Sequence, residues 1–394
     1  MTRSAPDSCP GVLRLHEAAD GPLARVRLPG GRLTPEQLQV LAEAARDLGN
    51  GALELTSRGN IQLRQLHDAT ELSQRLTAAG LLPSTTHERV RNILASPMSG
   101  RVGGWSDVHT LVPLLDAGLQ DAPALAELPG RVLFTLDDGR GDVSGLGGDI
   151  GLHATAADEY ALLLGGLDSG IRLPGADAVP TVLAAAHVFQ DLRGHFWRVR
   201  ELPDGVARIT AALPHTPGEE TLELGVRHDI PIGWLDQDNG LVSLGAGVPL
   251  ATLPARTAEF VAATGRPLLV TPWRSLVITD LDEDIAETVA GVLAPLGLIF
   301  DATSPWLRVT ACAGRPGCAK SHTDVRADVA AAVTTGRVLP AGAETTVGTD
   351  LDAGELEVAG RQHWSGCDRR CGRPAGPVTE VTAGPDGYTI TPGD

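Results

Sequence analysis

Apolar and polar residues follow one another in an order of strands and helices that occurs twice along the chain. Residues 23–66 read as a strand, a Gly-Gly turn, a helix with apolar positions at helical spacing, and an alternating strand. Residues 241–280 repeat this order about 215 residues later, again with a glycine turn between strand and helix. The pattern predicts an internal duplication.

The similarity between the two copies continues downstream. Residues 71–97 predict a helix, a glycine break and a strand near Arg91, and residues 284–314 predict the same elements with a strand near Arg308. Two copies of such a unit imply a pseudo-twofold arrangement, and proteins built in this way often place a site between the copies. We therefore look for functional residues in both halves.

Composition narrows the function classes. The chain has 394 residues, 42% of them hydrophobic, and a formal net charge of −17, which argues against a nucleic-acid partner. No apolar run reaches the roughly 18 residues of a membrane span, and the N-terminus lacks the apolar segment of a secretory signal. We expect a cytoplasmic protein with no membrane partner. Lys320 is the single lysine, so nearly all positive charge is arginine, which suits bidentate recognition of carboxylates.

Four of the five cysteines form two pairs. Cys312 and Cys318 are six positions apart, and Cys367 and Cys371 are four apart, which gives the pattern C-x5-C…C-x3-C. Four thiolates fit either a zinc ion or an iron–sulfur cluster. Structural zinc favours gaps of two to four residues, so the five-residue gap favours the larger [4Fe-4S] cubane. Cys9 has no partner at ligand spacing and is interpreted as a plain thiol.

Several cations and amides are predicted to share one sheet face. In TSRGNIQLR, residues 56–64, polar side chains alternate with small or apolar ones, and a strand puts alternate residues on the same side. A face with many arginines is favourable only opposite anions. The alternative is an ordinary solvated sheet face. The residues concerned are Arg25, Arg27, Arg58, Asn60, Gln62, Arg64, Arg91 and Asn92.

The cysteine pattern resembles the signature of the nitrite and sulfite reductase superfamily. The resemblance covers most of the chain and includes RVRLPGG (25–31), TSRGNIQLR (56–64), VRNILASP (90–97) and LPGRVLFTLDDG (128–139). It implies that Cys312, Cys318, Cys367 and Cys371 hold a [4Fe-4S] cluster. In the reductases of this superfamily the last cysteine, which matches Cys371, also bridges to the iron of sirohaem.

The resemblance also implies the fold class. We expect an α+β protein with a pseudo-twofold duplicated nitrite/sulfite reductase fold, made of ferredoxin-like half-domains and two α/β lobes. The expected units are a first half-domain at 1–75, a first lobe at 76–230, a second half-domain at 231–303 and a second lobe with the cluster at 304–394.

One departure from the reductases points to another family of the superfamily. The reductases carry a lysine-rich R-K-x-K loop after a Leu-Pro, whereas this chain has Leu128-Pro129-Gly130-Arg131-Val132-Leu133. Arginine passes protons poorly, and Leu133 replaces the second lysine. The sequences of the DDGRGDV loop and of both cysteine motifs are similar to those of the precorrin-3B synthases. These enzymes use dioxygen to hydroxylate precorrin-3A and close a lactone.

This resemblance implies roles for the charged face. Arg58, Arg91 and Arg131 are the expected catalytic residues, and the expected contacts to the tetrapyrrole substrate are Arg25, Arg27, Asn60, Gln62, Arg64 and Asn92. Two alternatives remain: a sirohaem-dependent sulfite or nitrite reductase, and a non-catalytic tetrapyrrole-binding protein. Sirohaem is the less favoured cofactor.

Dioxygen chemistry raises the question of an additional mononuclear iron. Histidine is a suitable iron ligand by residue type, but no spacing selects among the five candidates and none is assigned as a ligand: His87, His153, His195, His322 and His363. No pattern identifies the electron donor or the oligomeric state.

Overall fold

The computed structural model describes residues 7, 9–227, 229–338, 360–374 and 376–392. Within them the strands are β1 (His16–Ala18), β2 (Gly21–Val26), β3 (Arg32–Leu33), β4 (Ala52–Leu55), β5 (Ile61–Arg64), β6 (Ile93–Ala95), β7 (Phe134–Asp137), β8 (Ile150–Ala156), β9 (Glu159–Leu164), β10 (Leu167–Pro174), β11 (Gly233–Asp236), β12 (Val242–Gly247), β13 (Thr252–Pro254), β14 (Leu268–Val270), β15 (Ser275–Leu281), β16 (Val309–Ala311), β17 (Gln362–Ser365), β18 (Thr379–Gly384) and β19 (Gly387–Thr391). The α-helices are α1 (Pro35–Leu48), α2 (Ala69–Ala78), α3 (Leu111–Gln120), α4 (Gly175–Leu192), α5 (Gly205–Ala212), α6 (Ala255–Ala262), α7 (Glu283–Leu293) and α8 (Val325–Thr334).

Local sequence signals explain where the first long helix starts. The Thr34 side chain accepts from the backbone N–H of Gln37, while the Gln37 side chain accepts from the backbone N–H of Thr34. Pro35 follows the cap, where its missing N–H is not needed. The face that carries Leu38 and Leu41 is fully buried, so α1 forms part of the core.

The two half-domains exchange strands. One sheet has the order β1-β2-β5-β4-β13, and the other has the order β11-β12-β15-β14-β3. Thus β13 of the second copy pairs with β4 of the first, and β3 of the first copy pairs with β14 of the second. The predicted duplication is therefore present, and each copy completes the sheet of the other.

The strand exchange produces one hydrophobic core for both copies. Buried residues from 24–82 and from 242–298 belong to a single cluster, in which α1 packs against α6. The helix α2 continues past the boundary that the sequence placed at residue 75. The other limits of the four units stay a prediction.

The two lobes also have matching sheets. In the first lobe, β6, β7 and β8 are parallel, and β9 is antiparallel to β8. In the second lobe, β16, β17 and β18 are parallel, and β19 is antiparallel to β18. Cys312 directly follows β16, and the loop after β17 carries Cys367 and Cys371. Parallel strands end at the same edge of a sheet, so both cysteine pairs lie at one edge.

One predicted strand is shorter than the alternating pattern indicated. Only residues 61–64 form a strand, and residues 56–60 form a turn in which Gly59 has φ of +62°. Arg58 and Asn60 therefore do not share a strand face with Gln62 and Arg64. The alternation of polar and apolar residues in TSRGNIQLR extends through this turn. Outside a strand, alternate residues do not point to the same side, so the pattern did not predict the side-chain directions there.

Among the described residues, the model contains no helix long and apolar enough to cross a membrane.

Candidate cofactor and substrate site

The four paired cysteines line one cavity of about 590 Å³ between the first half-domain and the second lobe. Cys312 and Cys318 come from the loop after β16, and Cys367 and Cys371 from the loop after β17. The structure therefore brings together two pairs that are separated by 48 residues of sequence.

The thiols are spaced more widely than the ligands of a single tetrahedral zinc ion. Sulfur atoms around tetrahedral zinc lie about 3.8 Å apart. Among the described residues, no three of these thiols lie within 4.8 Å of one another. A [4Fe-4S] cubane holds its cysteines further apart, at the corners of a larger body.

The surrounding loops are shaped to hold the thiols. The backbone N–H of Gly366 donates to Cys312 Sγ at 3.2 Å, a contact that stabilises negative charge on sulfur. A Cβ at Gly366 would lie 1.8 Å from Ser321 Oγ, so only glycine allows the two loops to approach. Burial, followed by the charges of the three other thiols, raises the pKa of Cys371. The sulfurs are thus unfavourable together as thiolates, and a positively charged iron core would relieve the repulsion between those thiolates.

Across the cavity lies a face of arginines. Arg25 donates through Nε to Gln62 Oε1 at 3.0 Å, and these two residues are neighbours on β2 and β5. Arg64 pairs with Asp20 at 2.6 Å and donates to the carbonyl of Gly317, beside Cys318, at 3.2 Å. The other two arginines of this face come from loops: Arg58 and Arg131.

This face carries more positive charge than the residues around it neutralise. No Asp or Glu is among the described residues that line the cavity. Burial, followed by repulsion from Arg198, lowers the pKa of Arg58 to about 10. Burial also lowers the pKa of Arg25, with a further contribution from Arg131. Buried guanidinium groups without carboxylate partners favour an anionic ligand.

Four of the predicted site residues do not line this cavity. Asn60 and Asn92 are 1% exposed, and their amides bond to each other and to backbone groups. Arg91 forms a bidentate pair with Asp116 at 2.6 and 2.7 Å. Arg27 and Arg91 instead line a separate cavity of about 210 Å³. The two asparagines therefore shape the loops. The substrate roles of Arg27, Asn60 and Asn92 and the catalytic role of Arg91 stay predictions.

Sequence reasoning missed a second cavity of about 270 Å³, which adjoins the first at Arg58. Leu133 lies in its wall, and no Asp or Glu is among its described lining residues. The repeat held a signal, because TPWRS at 271–275 is the second copy of TSRGN at 56–60. Its other arginines and its tryptophans are Arg198, Arg200, Arg274, Arg308, Arg361, Arg373, Trp273 and Trp306.

The first lobe has an acidic loop where the second lobe has cysteines. Ser96 directly follows β6, as Cys312 follows β16. The end of β7 and the loop after it bring carboxylate oxygens of Asp137, Asp138 and Asp142 within 4.8 Å of one another. Backbone N–H groups of residues 139, 141, 143 and 144 donate to Asp137. The acidic groups therefore shape the loop.

The five histidines considered as iron ligands are engaged in different parts of the structure. His87 contacts Thr86, His153 contacts Ser144, and His363 contacts Thr310. His195 packs on Phe196, and His322 is exposed. Burial and the charge of Arg274 lower the pKa of His363 to about 4, so this imidazole is neutral at pH 7. Within the described chain the structure does not gather these histidines into one site.

Comparison with known proteins defines the class. A model of the nitrite/sulfite reductase ferredoxin-like half domain matches residues 16–79. The structure of NirA from Mycobacterium tuberculosis superposes with a TM-score of 0.73 and 20% identity, covering 94% of this chain and 73% of that one. The chain thus has the nitrite/sulfite reductase fold, and the predicted duplicated α+β fold is confirmed.

A more specific similarity extends over nearly the whole length. A precorrin-3B synthase of Sinorhizobium sp is 25% identical over 97% of this chain and 82% of its own length. Sulfite reductase [ferredoxin] 2 of Mycolicibacterium paratuberculosis is 26% identical over 77% of this chain, which spans 61% of that protein. The predicted resemblance to precorrin-3B synthase within this superfamily is confirmed.

Proposed function

We propose that this protein is a precorrin-3B synthase, an oxidoreductase that uses dioxygen to hydroxylate precorrin-3A and form a lactone on the macrocycle. The observation that carries the proposal is a single cavity with four cysteine thiols at one side and an arginine face at the other, in which Arg25 and Arg58 have no carboxylate partner among the described residues. The near full-length similarity to a synthase supports it.

The cysteine side would hold a [4Fe-4S] cluster on Cys312, Cys318, Cys367 and Cys371. A cluster bound there supplies single electrons at the edge of the substrate cavity. The residues of the chain keep the cluster in place: Gly366 donates to one thiol, and the close contact of Gly366 with Ser321 fixes one loop against the other.

The arginine side would bind the carboxylate arms of the tetrapyrrole. Arg25, Arg58, Arg64 and Arg131 line the first cavity, and Arg58 also opens onto the second one. Both volumes lie near the range of small-molecule sites, about 300–1,000 Å³. The macrocycle would lie against the cysteine edge, with its acidic arms reaching into the second cavity.

The wall near Leu133 is unsuited to reducing a small oxyanion. Leu133 is buried, and its N–H donates to Asp149 Oδ2 at 2.9 Å, so this position offers no cation. Arg131 is held over the Trp197 ring at 5.0 Å. A guanidinium stays protonated at neutral pH and therefore does not relay protons readily.

The test is turnover of precorrin-3A by anaerobically purified, cluster-loaded protein after exposure to dioxygen. The expected product is heavier by one oxygen atom, and formation should require dioxygen. The same preparation, given sulfite or nitrite and a strong artificial electron donor, should show negligible reduction. Robust reduction of either anion would instead identify a reductase, and tight precorrin-3A binding without turnover would identify a carrier.

A further inference from the structure

Cys9, which the sequence indicated to be a plain thiol, lies in the same cavity as the four paired cysteines. Its Sγ lies 3.5 Å from Arg25 Nη1 and 3.5 Å from Arg27 Nη2. The side chain is 9% exposed, so the contacts to the two guanidinium groups occur in a mostly desolvated environment. Hydrogen bonds from a guanidinium stabilise the anionic form of sulfur.

Arg27 gives an independent indication that an anion belongs here. This side chain is 3% exposed, and its Nε and Nη1 have no hydrogen-bond partner. Only Nη2 is engaged, with Cys9 Sγ and with the carbonyl of Pro10 at 3.1 Å. Burial lowers the pKa of Arg27, and repulsion from Arg25 and Arg58 adds to the effect. A buried cation therefore contacts the Cys9 sulfur through Nη2, and two further donors of the same guanidinium have no partner.

The charges around Cys9 are unbalanced. The neighbouring cations are Arg25 and Arg27 from the β2 region and Arg58 and Arg131 from two loops; the neighbouring carboxylates are Asp7 and Glu88. Among these described residues, four cations thus face two carboxylates. Glu88 already accepts the N–H groups of Val12 and Leu13, and Asp7 accepts that of Cys9.

These contacts also hold the segment around Cys9 in place. The N–H of Arg25 donates to the carbonyl of Gly11 at 3.0 Å, and the N–H of Val12 donates to Glu88 at 2.6 Å. Along β2 and β5, the pair Arg25–Gln62 lies two residues beyond the pair Leu23–Arg64, which is about 7 Å. Arg25, which contacts Cys9, and Arg64, which contacts the Cys318 loop, therefore lie at different points along the sheet.

We propose that Cys9 is a reactive thiol site, separate from the four paired cysteines, that takes small electrophiles and peroxides entering the cavity. With iodoacetamide, the sulfur attacks the methylene carbon and iodide leaves. With hydrogen peroxide, the sulfur attacks one oxygen, the O–O bond breaks and hydroxide leaves. Cys9 is then oxidised to a sulfenic acid and the peroxide is reduced to water. The site does not depend on the proposed function.

The test uses the full, cluster-loaded chain under anaerobic conditions at pH 7, with iodoacetamide as the probe and peptide mass spectrometry as the measurement. Cys9 should be alkylated while the four cluster cysteines remain protected by iron. Arg27→Gln should slow the alkylation of Cys9 about three- to tenfold, because it removes a cation beside the sulfur. Arg14→Gln, an exposed arginine nearby, is the matched control and should react at the wild-type rate.

Folding is monitored through iron and sulfide content, and Arg25→Gln serves as the second variant if Arg27→Gln does not fold. Two results would overturn the proposal. One is a Cys9 that stays unmodified in the folded protein and reacts only after unfolding. The other is wild-type reactivity in the arginine variants that retain full iron.

Discussion

Individual side chains in this cavity have distinct environments although they share a residue type. The four paired thiols follow strand ends and face one another, whereas Cys9 faces two guanidinium groups. Arg64 is neutralised by Asp20, while Arg58 donates only to the carbonyls of Gly130 and Arg131. Substitutions can therefore separate the cluster from the arginine face.

Cys367→Ser should remove iron and sulfide together and destabilise the second lobe. The thiolates would link the loop at 312–318 to the loop at 367–371 through the cluster, so loss of one ligand loosens both. Iron and sulfide analysis with the visible absorption spectrum is the measurement. Cys9→Ser, the matched control, should keep full iron content; a Cys367→Ser variant that also kept it would disprove the cluster assignment.

Arg58→Ala should weaken tetrapyrrole binding about 10- to 100-fold while leaving the cluster spectrum intact. The substitution removes one charge-assisted contact, worth roughly 1.5–3 kcal/mol. Fluorescence quenching or calorimetry measures the affinity, and Arg208→Ala on the exposed face of α5 is the control. Equal affinity of both variants would mean that the face is only a solvated surface.

At the scale of elements, the loop after β7 shows how the two lobes have diverged. It occupies the place of the second cysteine loop, yet its carboxylates are satisfied within the loop and by Ser96. Burial, followed by the charge of Asp137, raises the pKa of Asp142 to about 7. Ionisation of the buried Asp142 carboxyl therefore lowers the free energy of unfolding as the pH rises to neutral.

Asp142→Asn should stabilise the protein at pH 8 and change little at pH 4. The unfolded carboxyl has a pKa of about 4, so between pH 4 and 7 the folded state binds more protons, and stability falls as pH rises. The neutral amide still accepts from Ser96 Oγ, now 2.5 Å from Asp142 Oδ1. The gain at pH 8 should be roughly 2–4 kcal/mol.

Urea unfolding at several pH values measures this effect. Asp191→Asn, at an exposed position on α4, should leave the pH profile of the wild type unchanged. Parallel profiles for Asp142→Asn and the wild type would show that the buried carboxyl carries no such penalty.

At the scale of the whole molecule, stability depends on the exchange of β3 and β13 between the copies. Gly31, with φ of +70°, lies where the first copy passes the second, and a Cβ there would lie 2.1 Å from the carbonyl oxygen of Val270. The contact leaves no room for a side chain. The two halves are thus held together at a point where only glycine fits.

Gly31→Ala should lower the free energy of unfolding by roughly 3–5 kcal/mol, because the left-handed backbone and the clash both oppose the methyl group. Gly51→Ala is the matched control: φ is +79°, but nothing lies within 4 Å of the added Cβ. That variant should lose only about 1–2 kcal/mol. Equal losses in the two variants, measured by urea unfolding, would argue against a tight contact between the copies.

The duplication, the α+β fold and the paired cysteines were readable from the sequence because each depends on local pattern. Apolar periodicity specifies helices and strands, and the spacing C-x5-C…C-x3-C brings two ligands near each other on each loop. The missing lysine at Leu133 was readable only through the resemblance to the reductases, whose R-K-x-K loop has a lysine at this place. The alternation in TSRGNIQLR was misleading, because a turn at Gly59 interrupts the strand.

Contacts between distant segments were not readable, since no local pattern records them. The strand exchange, the placement of Cys9 beside Arg25 and Arg27, and the arginine cavity around Trp273 all join residues far apart in sequence. The direction of a side chain outside regular strands follows from the loops that pack around it. For that reason Arg91 pairs with Asp116 and Asn60 bonds to Asn92. Within the described parts of the chain, Arg58 has no carboxylate partner at the junction of the two cavities.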